Sequence, residues 1–205
     1  MIWIIDYGMG NLGSVQRAFE ECGTSVHVSS DPSILGRAQA VVLPGVGSFT
    51  EGMQNLRARG LDRALTEASA AGLPVLGICL GMQLLATRGT EGGDTAGLGL
   101  IPGLVDRIPP GGHRIPHVGW NEVHLRQTHP LFHGIPDATD FYFVHSYRFL
   151  PETSADVLAE TPYAGSFASA VAHGSVCGVQ FHPEKSSRPG FALLRNFIQH
   201  AHASC

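Results

Sequence analysis

Apolar positions follow two alternating rhythms through the first eighty residues. Runs at 1–6, 26–28, 40–43 and 74–78 are short and almost wholly apolar, as strands buried on both faces are. Between them the spacing is helical. Leu12, Val15, Phe19 and Cys22 mark one face of a helix that Asn11 caps and Gly23 stops. Asp31-Pro32 opens a short helix, a longer helical region covers 50–71 with a break near Gly60, and another helix is predicted over 80–88. The strand at 40–43 breaks at Pro44-Gly45-Val46-Gly47. Strands alternating with helices predict a mostly parallel central sheet with helices on both faces.

The second half changes character. A glycine-rich stretch at 89–99 reads as flexible, and 100–182 carries short runs of Val, Tyr, Phe and Thr between turn residues such as Pro109-Pro110-Gly111-Gly112. These predict antiparallel β-hairpins and edge strands added to the first sheet. A final amphipathic helix spans 189–201, with Phe191, Leu194, Phe197 and Ile198 on one side. The fold class is therefore α/β, and with no internal repeat or long linker, 1–205 reads as a single domain.

Composition narrows the functions. With 43% apolar residues, disorder across the chain is excluded. A net charge of −4, from 13 basic and 17 acidic residues, argues against phosphate-backbone binding. Charged residues are 15%, below the roughly 25% usual in soluble domains, as expected if a partner covers part of the surface. The start carries no basic segment before its short apolar run, and no stretch approaches a membrane span. Cys22, Cys79, Cys177 and Cys205 form no CxxC pair, so a reduced, cytoplasmic protein with any special cysteine reactive rather than crosslinked is expected.

The sharpest local feature is Gly77-Ile78-Cys79-Leu80-Gly81 between an apolar strand and a helix, the pattern of a nucleophile elbow with cysteine at its tip. The turn strains Cys79 and requires small residues two positions either side. The helix start behind it favours a thiolate and offers the Leu80 N–H to an oxyanion. A buried structural cysteine at a strand end is the plainer alternative. A nucleophilic cysteine also needs a base, and Gln180-Phe181-His182-Pro183-Glu184 supplies one of eleven histidines with a carboxylate two residues on. In an extended chain those two side chains project to one side, so Glu184 can hold the His182 tautomer.

The order Cys79, His182, Glu184 and the residues around each resemble the class I (triad) glutamine amidotransferases, which have a flavodoxin-like fold. The segments Asp6-Tyr7-Gly8-Met9-Gly10-Asn11-Leu12 and His117-Val118-Gly119-Trp120-Asn121 are similar, more closely, to the glutaminase subunits of imidazole glycerol phosphate synthases. The resemblance implies hydrolysis of L-glutamine to glutamate and ammonia, with Cys79, His182 and Glu184 catalytic and no cofactor or metal. It implies an oxyanion site at Leu80, Val46 and Gly47, and substrate contacts at Gln83, Glu91, His145, Ser146 and Tyr147. It also implies a (β/α)8 synthase subunit as partner in histidine biosynthesis, receiving the ammonia by channelling. The docking face would include Gly10, Asn11, Arg114, His117, Trp120, Asn121 and Tyr142.

Rival readings remain at this level. Gly8, Gly10 and Gly13 satisfy a dinucleotide-binding fingerprint with Asp31 about twenty residues on. The same triad would serve a stand-alone cysteine hydrolase. The His113/His117 and His200/His202 spacings lack a convincing third metal ligand.

Overall fold

The computed structural model describes the backbone of residues 1–203 and the side chains of residues 1–201. The reading of Cys205 as an uncrosslinked thiol and the His202 side chain of the His200/His202 spacing lie outside the described residues.

The first half builds the parallel core. In chain order come β1 (Ile2–Ile5), α1 (Leu12–Glu21), β2 (Val26–Ser29), β3 (Ala40–Gly45), α2 (Phe49–Ala58), α3 (Leu61–Ala70), β4 (Val75–Cys79) and α4 (Leu80–Leu84). Asn11 caps α1 by accepting from the Ser14 N–H, and Gly60, left-handed at φ 66°, separates α2 from α3. Asp31 caps the 3-10 turn Pro32–Arg37, with both carboxylate oxygens engaged by Ser33.

The second half contributes β5 (Arg88–Gly89), β6 (Thr95–Ala96), β7 (Gly103–Arg107), β8 (His117–Leu125), β9 (Thr139–His145), β10 (Tyr147–Pro151), β11 (Val157–Thr161), β12 (Phe167–His173), β13 (Val176–Val179) and α5 (Ser187–Ala203). The main sheet runs β2-β1-β3-β4-β13-β12-β11-β8-β9. Its first five strands are parallel and the rest antiparallel.

Two sequence expectations need correcting. Not every late strand joins the first sheet: β7 and β10 pair with β5 and β6 in a second sheet ordered β10-β7-β5-β6. The predicted helix 80–88 stops at Leu84, because the carbonyls of Leu84, Leu85, Ala86 and Thr87 accept from the N–H groups of residues 97–101 instead. That exchange also ties down the glycine-rich stretch, which forms the β5–β6 hairpin.

Successive side chains of each parallel strand enter opposite cores. Ile4, Val42, Leu76 and Ile78 pack with Phe19 of α1 and Leu194 and Phe197 of α5. Ile5, Val41, Leu43 and Val75 pack with Met53, Leu56 and Leu65 of α2 and α3. Each such side chain contributes about 1.5–3 kcal/mol by leaving water. The sheet is therefore held rigidly from both sides, and the loops at its carboxyl edge lie on a fixed platform.

Candidate active site

Cys79 ends β4 and precedes α4 with φ 54° and ψ −111°, in the positive-φ region that residues with a β-carbon avoid. Its neighbours show why the turn is tolerated. A β-carbon on Gly77 would stand 2.7 Å from the Gly81 carbonyl oxygen, and one on Gly81 would run into the Leu43 carbonyl. Both glycines are thus imposed by backbone contact. The sulfur is 6% exposed as part of its residue, donates to the Val144 carbonyl at 3.9 Å, and receives the Gln180 amide at 3.7 Å.

The register of β13 on β4, with Val179 opposite Ile78, carries the chain beyond it past the elbow. His182 itself is extended, but Pro183–Lys185 is a 3-10 turn. Glu184 therefore reaches the imidazole by the chain curling back, not by strand alternation as the sequence suggested. His182 Nδ1 and Glu184 Oε1 are 2.8 Å apart and both side chains are almost fully buried. Burial opposes the imidazolium, yet Cys79 and Glu184, through polarity and charge, outweigh it and lift the His182 pKa to about 10. The other nitrogen, Nε2, is buried with no hydrogen-bond partner at close range, and the Cys79 sulfur favours the imidazolium by polarity as well as by charge. Ser186 fixes the turn, its hydroxyl donating to the His182 carbonyl and accepting from the Tyr142 N–H.

A cavity of about 350 Å³ opens over the sulfur, lined by Val46, Gly47, Cys79, Leu80, Gln83, Glu91, Pro116, Val144, His145, Ser146 and Tyr147. Every predicted oxyanion and substrate position lies on this one wall. Larger clefts of about 520 and 870 Å³ lie beside α3 and α5, and neither touches Cys79, His182 or Glu184. Glu91 is held at the start of α2, where its carboxylate accepts from the Phe49 N–H; half-burial raises its pKa and that hydrogen bond offsets part of the rise. Gly47 has φ 114°, and a β-carbon there would stand 2.5 Å from Met9, so the Val46–Gly47 loop rests against the loop after β1. Tyr7, wholly buried from that same loop, leaves its hydroxyl unpartnered beneath Gly45; burial, with a smaller contribution from Cys79, pushes its pKa upward.

The residues predicted for docking separate into two sets. Trp120 is 52% exposed and packs edge-on against Tyr142, its cross-strand partner, while Val118 beside it is 56% exposed. Gly10 packs on Pro44 and Gly45, Asn11 and Arg114 lie on the surface, and Lys185 sits over the Tyr142 ring. His117 differs from the expectation. It is buried at 3% exposure, because alternation along β8 turns it inward. It stacks on Tyr163, with ring centres 3.9 Å apart.

His145 Nδ1 lies 2.8 Å from the Tyr147 carbonyl, which can only accept, so Nδ1 carries the proton and Nε2 accepts from His117 Nδ1 at 2.9 Å. His117 Nε2 then accepts from Asn121 Nδ2 at 3.2 Å. Burial keeps both rings neutral, with pKa values lowered to about 4 for His117 and about 3 for His145; in His145 the Tyr147 carbonyl opposes the burial while the charges of His117 and His182 add to it.

Comparison with known proteins agrees with this geometry. Residues 3–201 match the family described as glutamine amidotransferase class-I. The chain belongs to that family, and is a glutamine amidotransferase. It is 50% identical over 203 residues to the imidazole glycerol phosphate synthase subunit HisH of Moorella thermoacetica, covering 98% of this chain and 96% of that one. It is 51% identical over 196 residues to the protein of the same name from Symbiobacterium thermophilum, covering 96% and 92%. A crystal structure of a glutamine amidotransferase superposes with a TM-score of 0.79 at 20% identity, covering 98% of this chain and all of that one, which establishes the flavodoxin-like fold.

Sequence reasoning missed Gln180, Tyr7 and the Val144 carbonyl. Gln180 left a trace: it is the one polar side chain in an otherwise apolar run entering the His-Pro-Glu turn. The dinucleotide rival loses its acidic residue, since Asp31 is occupied in capping its own turn.

Proposed function

We propose that this chain is the cytoplasmic glutaminase subunit of an imidazole glycerol phosphate synthase, releasing ammonia from L-glutamine to a separate (β/α)8 synthase subunit. The observation that carries the reading is the single cavity that gathers Cys79 with all eight expected oxyanion and substrate positions, backed by the buried His182–Glu184 pair. The names of the relatives supply the choice of synthase.

Cys79, as thiolate, attacks the carboxamide carbon of glutamine. The carbonyl oxygen takes up the negative charge, received by the Leu80 N–H and by an N–H of the Val46–Gly47 loop. His182 as imidazolium gives its Nε2 proton to the departing nitrogen, the C–N bond breaks, and ammonia leaves a thioester. The now neutral His182 takes a proton from water, hydroxide adds to the thioester, and glutamate departs as the thiolate reforms. Glu184 holds the imidazole and favours its charged form throughout. Gln83 and Glu91 grip the amino-acid head group, with backbone at His145, Ser146 and Tyr147.

Ammonia escaping to bulk water would be protonated, so delivery requires a covered exit. The face bearing Val118, Trp120 and Tyr142 adjoins Val144 on the cavity wall and offers apolar surface for the partner. Glutamate production by the purified chain, alone and with its synthase partner, tests the reading. Turnover should be low alone, rise with the liganded partner and vanish in Cys79→Ala; turnover retained in that variant overturns the nucleophile assignment.

A further inference from the structure

Gln180 is fully buried, and its backbone N–H is spent on the Ser169 carbonyl. Its side chain stands between two groups of the cavity. Gln83 Nε2 is 3.0 Å from the Tyr147 carbonyl and 2.9 Å from Gln180 Oε1. The Tyr147 carbonyl can only accept, so the amide end of Gln83 that faces it must be the NH2. Both hydrogens of that NH2 are then used, one on Tyr147 and one on Gln180, and Gln83 Oε1 is left for the cavity. The same logic passes to Gln180. Its oxygen meets Gln83, so its NH2 faces the Cys79 sulfur at 3.7 Å.

We propose that Gln180 is a positioning residue for the nucleophile, its carboxamide donating to the Cys79 sulfur while locking Gln83 with its acceptor oxygen toward the substrate. The proposal rests on the glutaminase reading of this cavity and deepens it. A donor at the sulfur favours the anion and orients a lone pair, whereas the Val144 carbonyl on another side of the same atom accepts only from the protonated thiol. The two glutamines thus act as one hinge-free strut, with the polarity of each amide set by a backbone carbonyl that cannot reverse. A Gln180 that served only to brace Gln83 would leave the titration of the sulfur unchanged when its NH2 is removed.

That difference defines the test. Gln180→Glu preserves shape and the acceptor toward Gln83 but turns an oxygen on the sulfur; Gln180→Met removes both hydrogen bonds at similar volume. Iodoacetamide alkylation of Cys79 is followed against pH in the full chain, with the Cys79→Ala chain as background. Glutamine turnover is measured in the complex with the synthase partner. The other titratable groups around the sulfur (His182, Glu184, Tyr7 and His145) stay in place; Gln180→Glu adds a carboxylate of its own, so a displaced profile in the uncharged Gln180→Met reports the lost donor. In Gln180→Glu the alkylation profile should move to higher pH and kcat should fall about tenfold or more, with KM for glutamine changed far less. Gln180→Met should also displace the alkylation profile to higher pH, lower kcat and raise KM, because the donor is lost and Gln83 is released. If neither variant folds, Gln83→Leu, which removes the strut's anchor, should displace the alkylation profile in the same direction. An alkylation profile superimposable on that of the unaltered chain in Gln180→Met, or in Gln83→Leu where Gln180→Met does not fold, overturns the proposal. Failure of the unaltered complex to hydrolyse glutamine would instead sink the glutaminase reading, and a displaced alkylation profile would still support the role of Gln180.

Discussion

Replacing Glu184 by Gln removes one charge from the site at nearly constant shape. The new side chain can still offer an oxygen to His182 Nδ1, now 2.8 Å from Oε1, so the ring keeps its tautomer. What disappears is the carboxylate that helps hold the His182 pKa near 10 against burial. A hydrogen bond to a charged group contributes about 1.5–3 kcal/mol. Glu184 Oε2 is already buried without a partner, so the amide NH2 would occupy that position unsatisfied, at a further cost of about 1–3 kcal/mol. The unsatisfied NH2 is present in ground and transition states alike and weakens folding, so kcat should fall through the lost charge alone, about 10- to 100-fold at 1.36 kcal/mol per decade, while KM for glutamine changes little.

Stability gives an independent check with a definite sign. His182 is raised in the folded chain from an ordinary value of about 6.5, so its stabilisation is complete below that pH and is lost as pH rises through about 10. The gap in melting temperature between the unaltered chain and Glu184→Gln should therefore be widest near pH 6 and narrow toward pH 10. A gap independent of pH, together with kcat within about twofold of the original, would refute the assignment of the pair.

Gly81→Ala forces a β-carbon onto the Leu43 carbonyl, so thermal denaturation should show a loss of about 1–3 kcal/mol, with turnover nearly abolished; a fully active variant would mean the elbow has slack. Trp120→Ala should weaken partner affinity about tenfold or more in titration calorimetry while leaving the melting temperature of the isolated chain almost unmoved, as befits a half-exposed aromatic. His117 and His145 stay neutral when folded but take up protons when unfolded, so urea midpoints should fall as pH drops from about 6.5 toward 4. In His117→Gln that fall should be shallower, and an unchanged slope would contradict the buried, neutral assignment.

The strands and helices of the first half were legible because their rhythms are local: alternation, caps at Asn11 and Asp31, and a break at Gly60 each act within a few residues. The elbow was legible for the same reason at Gly77, which the Gly81 carbonyl of its own turn demands, whereas the need for Gly81 comes from the Leu43 carbonyl on β3. The premature end of α4 was not. Nothing between Leu80 and Arg88 forbids a longer helix; the competing N–H groups come from residues 97–101. His117 was misplaced because its face depends on which side of β8 meets Phe143 and Tyr163, and pattern alone leaves that choice open.

By itself, then, the chain's order of residues determined the layered α/β plan, the cramped bend that carries Cys79, and the pairing of His182 with Glu184, while the 3-10 turn that curls Glu184 back to the ring emerged only in the fold. Only the tertiary structure decided that Gln180, 101 residues from Cys79, touches its sulfur, and that Glu91 and Tyr147 share its cavity. The reason is register. Side-by-side pairing of β13 with β4 is fixed by the packing of both cores around them, and a shift of a single residue would turn Gln180 to the opposite face.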